Sequence, residues 1–481
     1  MPPNIIRSNH DYTLGAGEDH LYLLNPDPND LTHGTHLNGR GNAGGNLIVG
    51  NDYNNVIIDV AGADSLYGGP GDDIMSTTGA LSIITSTASA DTIGSVVNAG
   101  DGNDRVYANQ GDTVDGGAGN DTLVVGYSNL GTYANTNTLS LYGGPGDDVY
   151  EAVTLRNNPV SPTLGGPVMM TSTGVYIQEN VGDGIDTILV DGGAVSIDST
   201  QQNMFVGEIE NIICRGTSSS SSLFASGNIL NNLISGGASA DIIHGMGGND
   251  TLRGNAGGDT IYAYDLPHYN LPGSTFASAS LLDGGDAMDF LFADGNDTLL
   301  GGAGNDRLEA IYGSANELRG GVDNDTYVIA GNQWVIEQAG EGIDRIESTE
   351  SVDISAAQSM LQGEIEDITL KGNANTNAIG NTLNNRLQGN WSNNVLSGLE
   401  GADSLLGDQG NDVLYAHSAS NTTADNAIDT LSGGMGNDTL VADGYDLLAG
   451  ATGDDTLIAL VGGNTLMEGG DGNDVYIIND Q

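Results

Sequence analysis

The chain has 481 residues, with 11 Lys plus Arg against 64 Asp plus Glu, a formal charge of −53, 75 glycines and a single cysteine, Cys214. So few cations argue against nucleic acid or any other polyanion as partner, because phosphates must be neutralised by Lys or Arg, and one cysteine excludes an internal disulfide framework. The acids recur in register with apolar residues instead of running in blocks, which argues against a solvated, disordered chain.

Residues 1–60 carry weak, asparagine-rich repeats and a loop around Pro26 and Pro28. The start, MPPNIIRSNH, has neither an apolar run nor a basic segment, so no secretory signal peptide is read, and no stretch is long enough for a membrane helix. From Asp64 to Asp73 the pattern sharpens to GADSLYGGPGDDIM, with the two aspartates nine residues apart. After a Ser/Thr-rich interval come Asp104, Asp112 and Asp121, then Asp148 in GGPGDDVY. Residues 151–226 read as irregular, with three prolines and a serine run. Gly236 to Ala263 is the densest stretch, with Asp241, Asp250 and Asp259 nine residues apart, each followed two positions later by an aliphatic residue. An insertion with Pro267 and Pro272 reads as a lateral loop. Asp289, Asp297, Asp306 and Asp325 resume the pattern, and Asp403, Asp412, Asp429, Asp438, Asp446, Asp455 and Asp474 finish it.

A longer repeat overlies the short one. Gly182-Asp183-Gly184-Ile185-Asp186 matches Gly340-Glu341-Gly342-Ile343-Asp344, and Asn42, Asn46, Asn55, Asp64 and Asp73 match Asn381, Asn385, Asn394, Asp403 and Asp412 at a constant offset of 339. The reading is one continuous solenoid in three modules, 1–150, 151–327 and 328–481. Asparagines replace aspartates on some turns, where uncharged amides can stack and dispense with a metal.

Each short unit joins a glycine-rich turn to a brief apolar strand, as in Gly116-Gly117-Ala118-Gly119-Asn120-Asp121-Thr122-Leu123-Val124. Two units make one coil, so turn carboxylates stack along both edges at roughly the 4.8 Å strand spacing. Stacked carboxylates ~5 Å apart repel by about 0.8 kcal/mol in water and roughly 3 kcal/mol at an effective dielectric of 20. A divalent cation is therefore nearly obligatory. The aliphatic position, Met75, Leu123, Leu252, Ile261, Leu308, Leu414, Leu440 and Leu457, should point inward and form a thin core.

The unit resembles the nonapeptide repeat of RTX proteins, G-G-x-G-x-D-x-U-x. The resemblance implies an all-β parallel β-roll, many bound Ca2+ ions, folding that depends on calcium, and export by a type I system reading an uncleaved C-terminal signal. The aspartates it assigns to metal are Asp64, Asp73, Asp104, Asp112, Asp121, Asp148, Asp241, Asp250, Asp259, Asp297, Asp306, Asp325, Asp403, Asp412, Asp429, Asp438, Asp446, Asp455 and Asp474. Calcium takes 6 to 8 oxygens, and glycine turns can aim carbonyls at it because glycine tolerates positive φ. The preceding position, for example Asn120, Asn249, Asn305 and Asn437, shapes the turn.

Catalytic patterns are missing. There is no HExxH; His33 and His36 are close in sequence but have no glutamate between them, and they read as a surface turn. Anionic sugars need cations that are scarce here, and Trp334 with Trp391 are too few for a sugar platform. Prolines, alanines and a methionine fill the motif position where an ice-binding threonine face would stand. The expectation is a non-enzymatic, extracellular calcium-binding structural protein that assembles head to tail into a filament, surface layer or matrix. The alternative is a calcium-dependent adhesin or the binding module of a larger RTX exoprotein, with cell-surface glycans as partners. Membrane insertion is not expected. The head-to-tail reading rests on Gly470-Asp471-Gly472-Asn473-Asp474-Val475-Tyr476, which repeats Gly321-Val322-Asp323-Asn324-Asp325-Thr326-Tyr327.

Overall fold

The computed structural model describes residues 3–25, 36–79, 81, 94–109, 111–125, 139–152, 175–180, 182–197, 205–206, 208–216, 222–264, 279–355, 360–418, 427–460 and 464–479. The loop at Pro26 and Pro28, the serine run and the Pro267–Pro272 insertion lie outside them. Among the described residues every element is a short β-strand and there is no α-helix. The glycine turns explain the brevity: each apolar run ends at a turn before it reaches even two turns of helix. The expected parallel β-roll is what forms.

The chain divides into two compact units, Met1–Asp250 and Thr251–Gln481. In the first, successive strands alternate between two parallel sheets. One runs from Ile5–Ser8 through His20–Leu23, Leu47–Val49 and Ser65–Pro70 to Val175–Gln178 and Phe205–Val206; the other takes the strands between, from Tyr12–Thr13 through Arg105–Ala108 and Thr122–Val125 to Asn211–Cys214 and Leu233–Ser235. Register is strict: Val106 lies beside Met75 on one side and Leu123 on the other. Near its end this unit changes pattern, because Gly193–Ser196 opens a third sheet, continued by Leu223–Ser226 and Ile242–His244, while the first sheet stops at Phe205–Val206.

The second unit repeats the manoeuvre. Two sheets alternate from Thr251–Ala256 and Thr260–Tyr262 onward; one stops at Leu361–Gln362, and a new one opens at Val352–Asp353 and runs to Val475–Ile478. Both changes fall on the segments of the longer repeat around Asp186 and Asp344.

Residues 151–226 thus correct the sequence reading: their described parts are not irregular but hold strands at Val175–Gln178, Thr187–Val190, Gly193–Ser196, Phe205–Val206, Asn211–Cys214 and Leu223–Ser226. Outside the turn at Gly182–Asp186 they carry few glycine-aspartate signals, but Ile177, Ile188, Val190, Val195 and Ile212 point inward and bury their side chains. The eight inward aliphatics, Met75 to Leu457, are all fully buried, and Tyr150 and Tyr327 occupy the same position. Each such side chain contributes about 1.5–3 kcal/mol on burial. Cys214 is buried too.

Candidate metal-binding ladders

Position six of each unit sits at the start of its strand with the side chain turned into the turn. There its Oδ1 accepts the backbone N–H of position six one coil earlier. In the first unit this builds a continuous chain: Asn55 N–H to Asp73 at 2.6 Å, Asp73 to Asp104 at 2.6 Å, Asp104 to Asp121 at 2.8 Å, Asp121 to Asp148 at 2.7 Å, Asp148 to Asp186 at 2.9 Å and Asp186 to Glu210 Oε2 at 2.8 Å. The opposite edge runs from Asn46 to Asp64 and through Ser95 to Asp112. Nearer the end of the unit, Leu223 N–H reaches Asp241 and Asn232 N–H reaches Asp250.

The second unit has the same chains. One runs Asp259, Asp289, Asp306, Asp325, Asp344 and Glu366; its opposite edge has Ser280, Asp297, Asn316 and Gln333. Further along, Asn385, Asp403, Asp429 and Asp446 form one row, and Asn394, Asp412, Asp438, Asp455 and Asp474 the other.

The second carboxylate oxygen divides the predicted aspartates. In Asp73, Asp104, Asp121, Asp148, Asp306, Asp325, Asp412, Asp438 and Asp455 the Oδ2 is buried and accepts no hydrogen bond, and Asp289 behaves alike. An unpaired buried carboxylate oxygen costs several kcal/mol, so these atoms call for a cation. Asp112, Asp241, Asp297 and Asp446 instead accept turn N–H groups on Oδ2, from Asn109 at 2.7 Å, Gly237 at 2.6 Å, Asp294 at 2.9 Å and Asp443 at 3.0 Å respectively. Their carboxylates already close a turn.

Glycine makes room for the first arrangement. A Cβ on Gly116 would stand 2.4 Å from Asp121 Oδ2, and one on Gly117, at φ +108°, would stand 1.9 Å from the Gly100 carbonyl of the previous coil. Asparagine turns show the neutral counterpart. Asn55 Nδ2 donates to the Leu37 carbonyl and to Asn51 Oδ1, both at 3.0 Å, and Asn394 Nδ2 donates to the Thr376 carbonyl at 2.6 Å and Asn390 Oδ1 at 3.3 Å. Each amide thus pairs with an asparagine of its own turn and also donates to a backbone carbonyl of the neighbouring coil, joining the coils without charge. Where asparagine has an N–H donor, aspartate has a buried anionic oxygen, and a hard cation among carboxylates and carbonyls fits that difference.

Position five builds a second, exposed ladder in the opposite sense. Asn120 N–H donates back to Asn103 Oδ1 at 2.8 Å and Asp147 N–H to Asn120 Oδ1 at 3.0 Å; Asn411, Asn437 and Asp454 continue likewise in the second unit. These asparagines shape the turn, as expected.

Burial raises the ladder carboxyls far above the ordinary aspartate range, the donated N–H pulls them part of the way back, and neighbouring carboxylates raise them again. Asp73, Asp148, Asp289 and Asp325 reach about 8, Asp121 and Asp412 about 7, and Asp104, Asp306 and Asp438 about 6. Sequence reasoning missed Asp186, Asp344, Glu210 and Glu366, which extend the ladders; Asp186 and Asp344 end Gly-x-Gly-Ile-Asp turns, and those strings, with the repeated Gly-Glu-Ile-Glu, were the available signal. It placed Asp289 in the array without assigning it to metal. His36 Nδ1 lies 3.1 Å from the Asn54 carbonyl, and His33 is outside the described residues.

A roll whose coils are joined by stacked, buried carboxylates is a β-solenoid of the cation-binding class. The RTX calcium-binding nonapeptide repeat matches residues 40–76, 95–123, 226–261, 283–310, 379–422 and 423–444. The chain carries RTX-type calcium-binding repeats, and the ion they bind is Ca2+. No curated protein matches it.

Proposed function

We propose that this is an exported structural protein that folds on calcium outside the cell and assembles head to tail into a filament, surface layer or matrix. The observation that carries the reading is the set of buried Oδ2 atoms, repeated coil after coil, because a chain of −53 charge with unpaired carboxylates in its turns needs abundant calcium to fold. Extracellular fluid supplies that, and export unfolded through a narrow channel suits a chain that folds only on arrival.

Purified chain, moved from chelator into millimolar calcium, should gain strand signal by circular dichroism and then form ordered polymers in electron micrographs. Folding without any assembly over a wide concentration range would overturn the structural reading, and specific retention of that monomer on glycan arrays would favour an adhesin.

A further inference from the structure

We propose that each unit carries a cation site in which a glutamate from outside the nonapeptide motif joins two ladder aspartates, Asp148, Glu179 and Asp186 in the first unit and Asp325, Glu337 and Asp344 in the second. In each trio one carboxylate oxygen from every residue lies within 4.8 Å of the others, and all six residues are buried. The glutamates come from outside the turn motif. Glu179 follows Val175–Gln178 and Glu337 follows Trp334–Ile336, in each case the next-to-last strand of the sheet that is about to stop. Asp186 and Asp344 open the next strand, and both glutamate and aspartate recur 158 residues later. None of the six residues falls in a segment matched by the repeat.

The trios are not acid patches facing solvent. Glu337 is 5 % exposed and neither of its carboxylate oxygens accepts a hydrogen bond; Asp325 Oδ2 beside it is equally without a donor. In the first unit Asp148 Oδ2 and Glu179 Oε2 are in the same condition, while Glu179 Oε1 accepts the Tyr150 hydroxyl. Three buried carboxylates facing one another bring up to three negative charges into a space with no Lys, Arg or His among the groups that shift them. An all-oxygen set of this charge selects a hard cation of the calcium class over zinc or copper. The local glycines fit the same purpose: a Cβ on Gly143 would stand 2.2 Å from Asp148 Oδ2 and 2.3 Å from Glu179 Oε1, and one on Gly320 would stand 2.0 Å from Asp325 Oδ2.

The site explains why a glutamate is used. At these coils the roll exchanges one sheet for another, so the following turn does not present an aspartate from the usual position alone. A longer side chain from the departing strand reaches the ladder and ties that strand to the coil that replaces its sheet. The inference stands whether or not the chain polymerises.

The test uses the full chain and the double variant Glu179→Gln, Glu337→Gln, with terbium as luminescent probe and calcium by equilibrium dialysis. Tyr150 and Tyr327 place their phenols beside the trios, since Gly320 N–H donates to Tyr327 Oη at 2.5 Å, so tyrosine-sensitised terbium emission reports on them. The expected result is one ion fewer per substituted glutamate and a marked loss of sensitised emission, with calcium-induced strand signal retained. In chelator the variant should be no less stable than the parent, because glutamine removes an unpaired buried charge; a glutamate that served only as a structural hydrogen-bond acceptor would give the reverse. Unchanged stoichiometry and emission in a folded variant overturn the proposal while leaving the repeat sites intact. Should the double variant not fold in calcium, the two single variants are read the same way at one ion each, and unchanged stoichiometry in both overturns it.

Discussion

At the residue scale, one atom separates a turn that needs calcium from one that does not. Asp121 Oδ1 accepts the Asp104 N–H at 2.8 Å, and its Oδ2 is buried against Gly116 without a donor. In Asp121→Asn the Oδ1 bond can persist, and the new Nδ2 can donate to carbonyls as Asn55 does. The variant should therefore gain stability in chelator, by about 1 kcal/mol, and lose about tenfold in affinity at that site, equivalent to about 1.4 kcal/mol. Urea unfolding in chelator and calcium titration of the circular dichroism check the two signs, and a loss of stability in both conditions would show that the oxygen is not a cation ligand. Gly116→Ala reaches the same oxygen from the other side. Its methyl would stand 2.4 Å from Asp121 Oδ2, so the calcium midpoint should rise while the rest of the titration keeps its shape; an unchanged midpoint would mean that the carboxylate moves aside freely.

At the scale of the element, a strand and its turn are held by two ladders running in opposite senses, the inner from position six and the outer from position five. The outer one is exposed, so its bonds compete with water. Asn411→Ala, which removes the acceptor for Asn437 N–H at 2.8 Å, should cost roughly 0.5–1 kcal/mol in calcium and leave the number of bound ions unchanged. A lost ion in equilibrium dialysis would assign position five a ligand role. The inner aliphatics and the two-strand coil were readable because their chemistry is periodic: Leu123, Leu252 and Leu440 recur at a fixed distance from an aspartate, and only an inward strand position explains that. The exchange of sheets near Asp186 and Asp344 was not readable. The Gly-x-Gly-Ile-Asp turns before Asp186 and Asp344 read as one more repeat, and Glu179 and Glu337 lie seven residues before those aspartates, a spacing outside the nonapeptide period. The distinction between Asp112 and Asp121 was also hidden. Asp112 stands nine residues before Asp121, as a repeat aspartate should, but Asn109 sits where its N–H reaches Asp112 Oδ2, while in the glycine-rich Gly116–Asn120 turn no donor reaches Asp121 Oδ2.

For the molecule as a whole, the ladders make stability depend on pH and calcium in opposite directions. Without calcium, Asp73, Asp148, Asp289 and Asp325 hold their protons up to about 8 in the folded state, because burial disfavours the anion. In the unfolded chain the same carboxyls ionise near the ordinary value of about 3.9. Between those values the folded state binds more protons than the unfolded state, so stability falls as pH rises, and it is greatest at or below about pH 4. Asp104, Asp306 and Asp438, held only to about 6, contribute the earlier part of the loss. A chelated sample should thus show its highest urea midpoint in mild acid and a progressive fall toward pH 8, where the chain should be largely unfolded. Calcium reverses the slope, since binding displaces the ladder protons and the apparent affinity must rise with pH across the same window. Urea midpoints measured in chelator and in millimolar calcium along one pH series contain both signs. A chelated midpoint that stays level or climbs between mild acid and pH 8 would show that the carboxylates are already compensated within the protein, and calcium would then be a passenger of the fold instead of its condition.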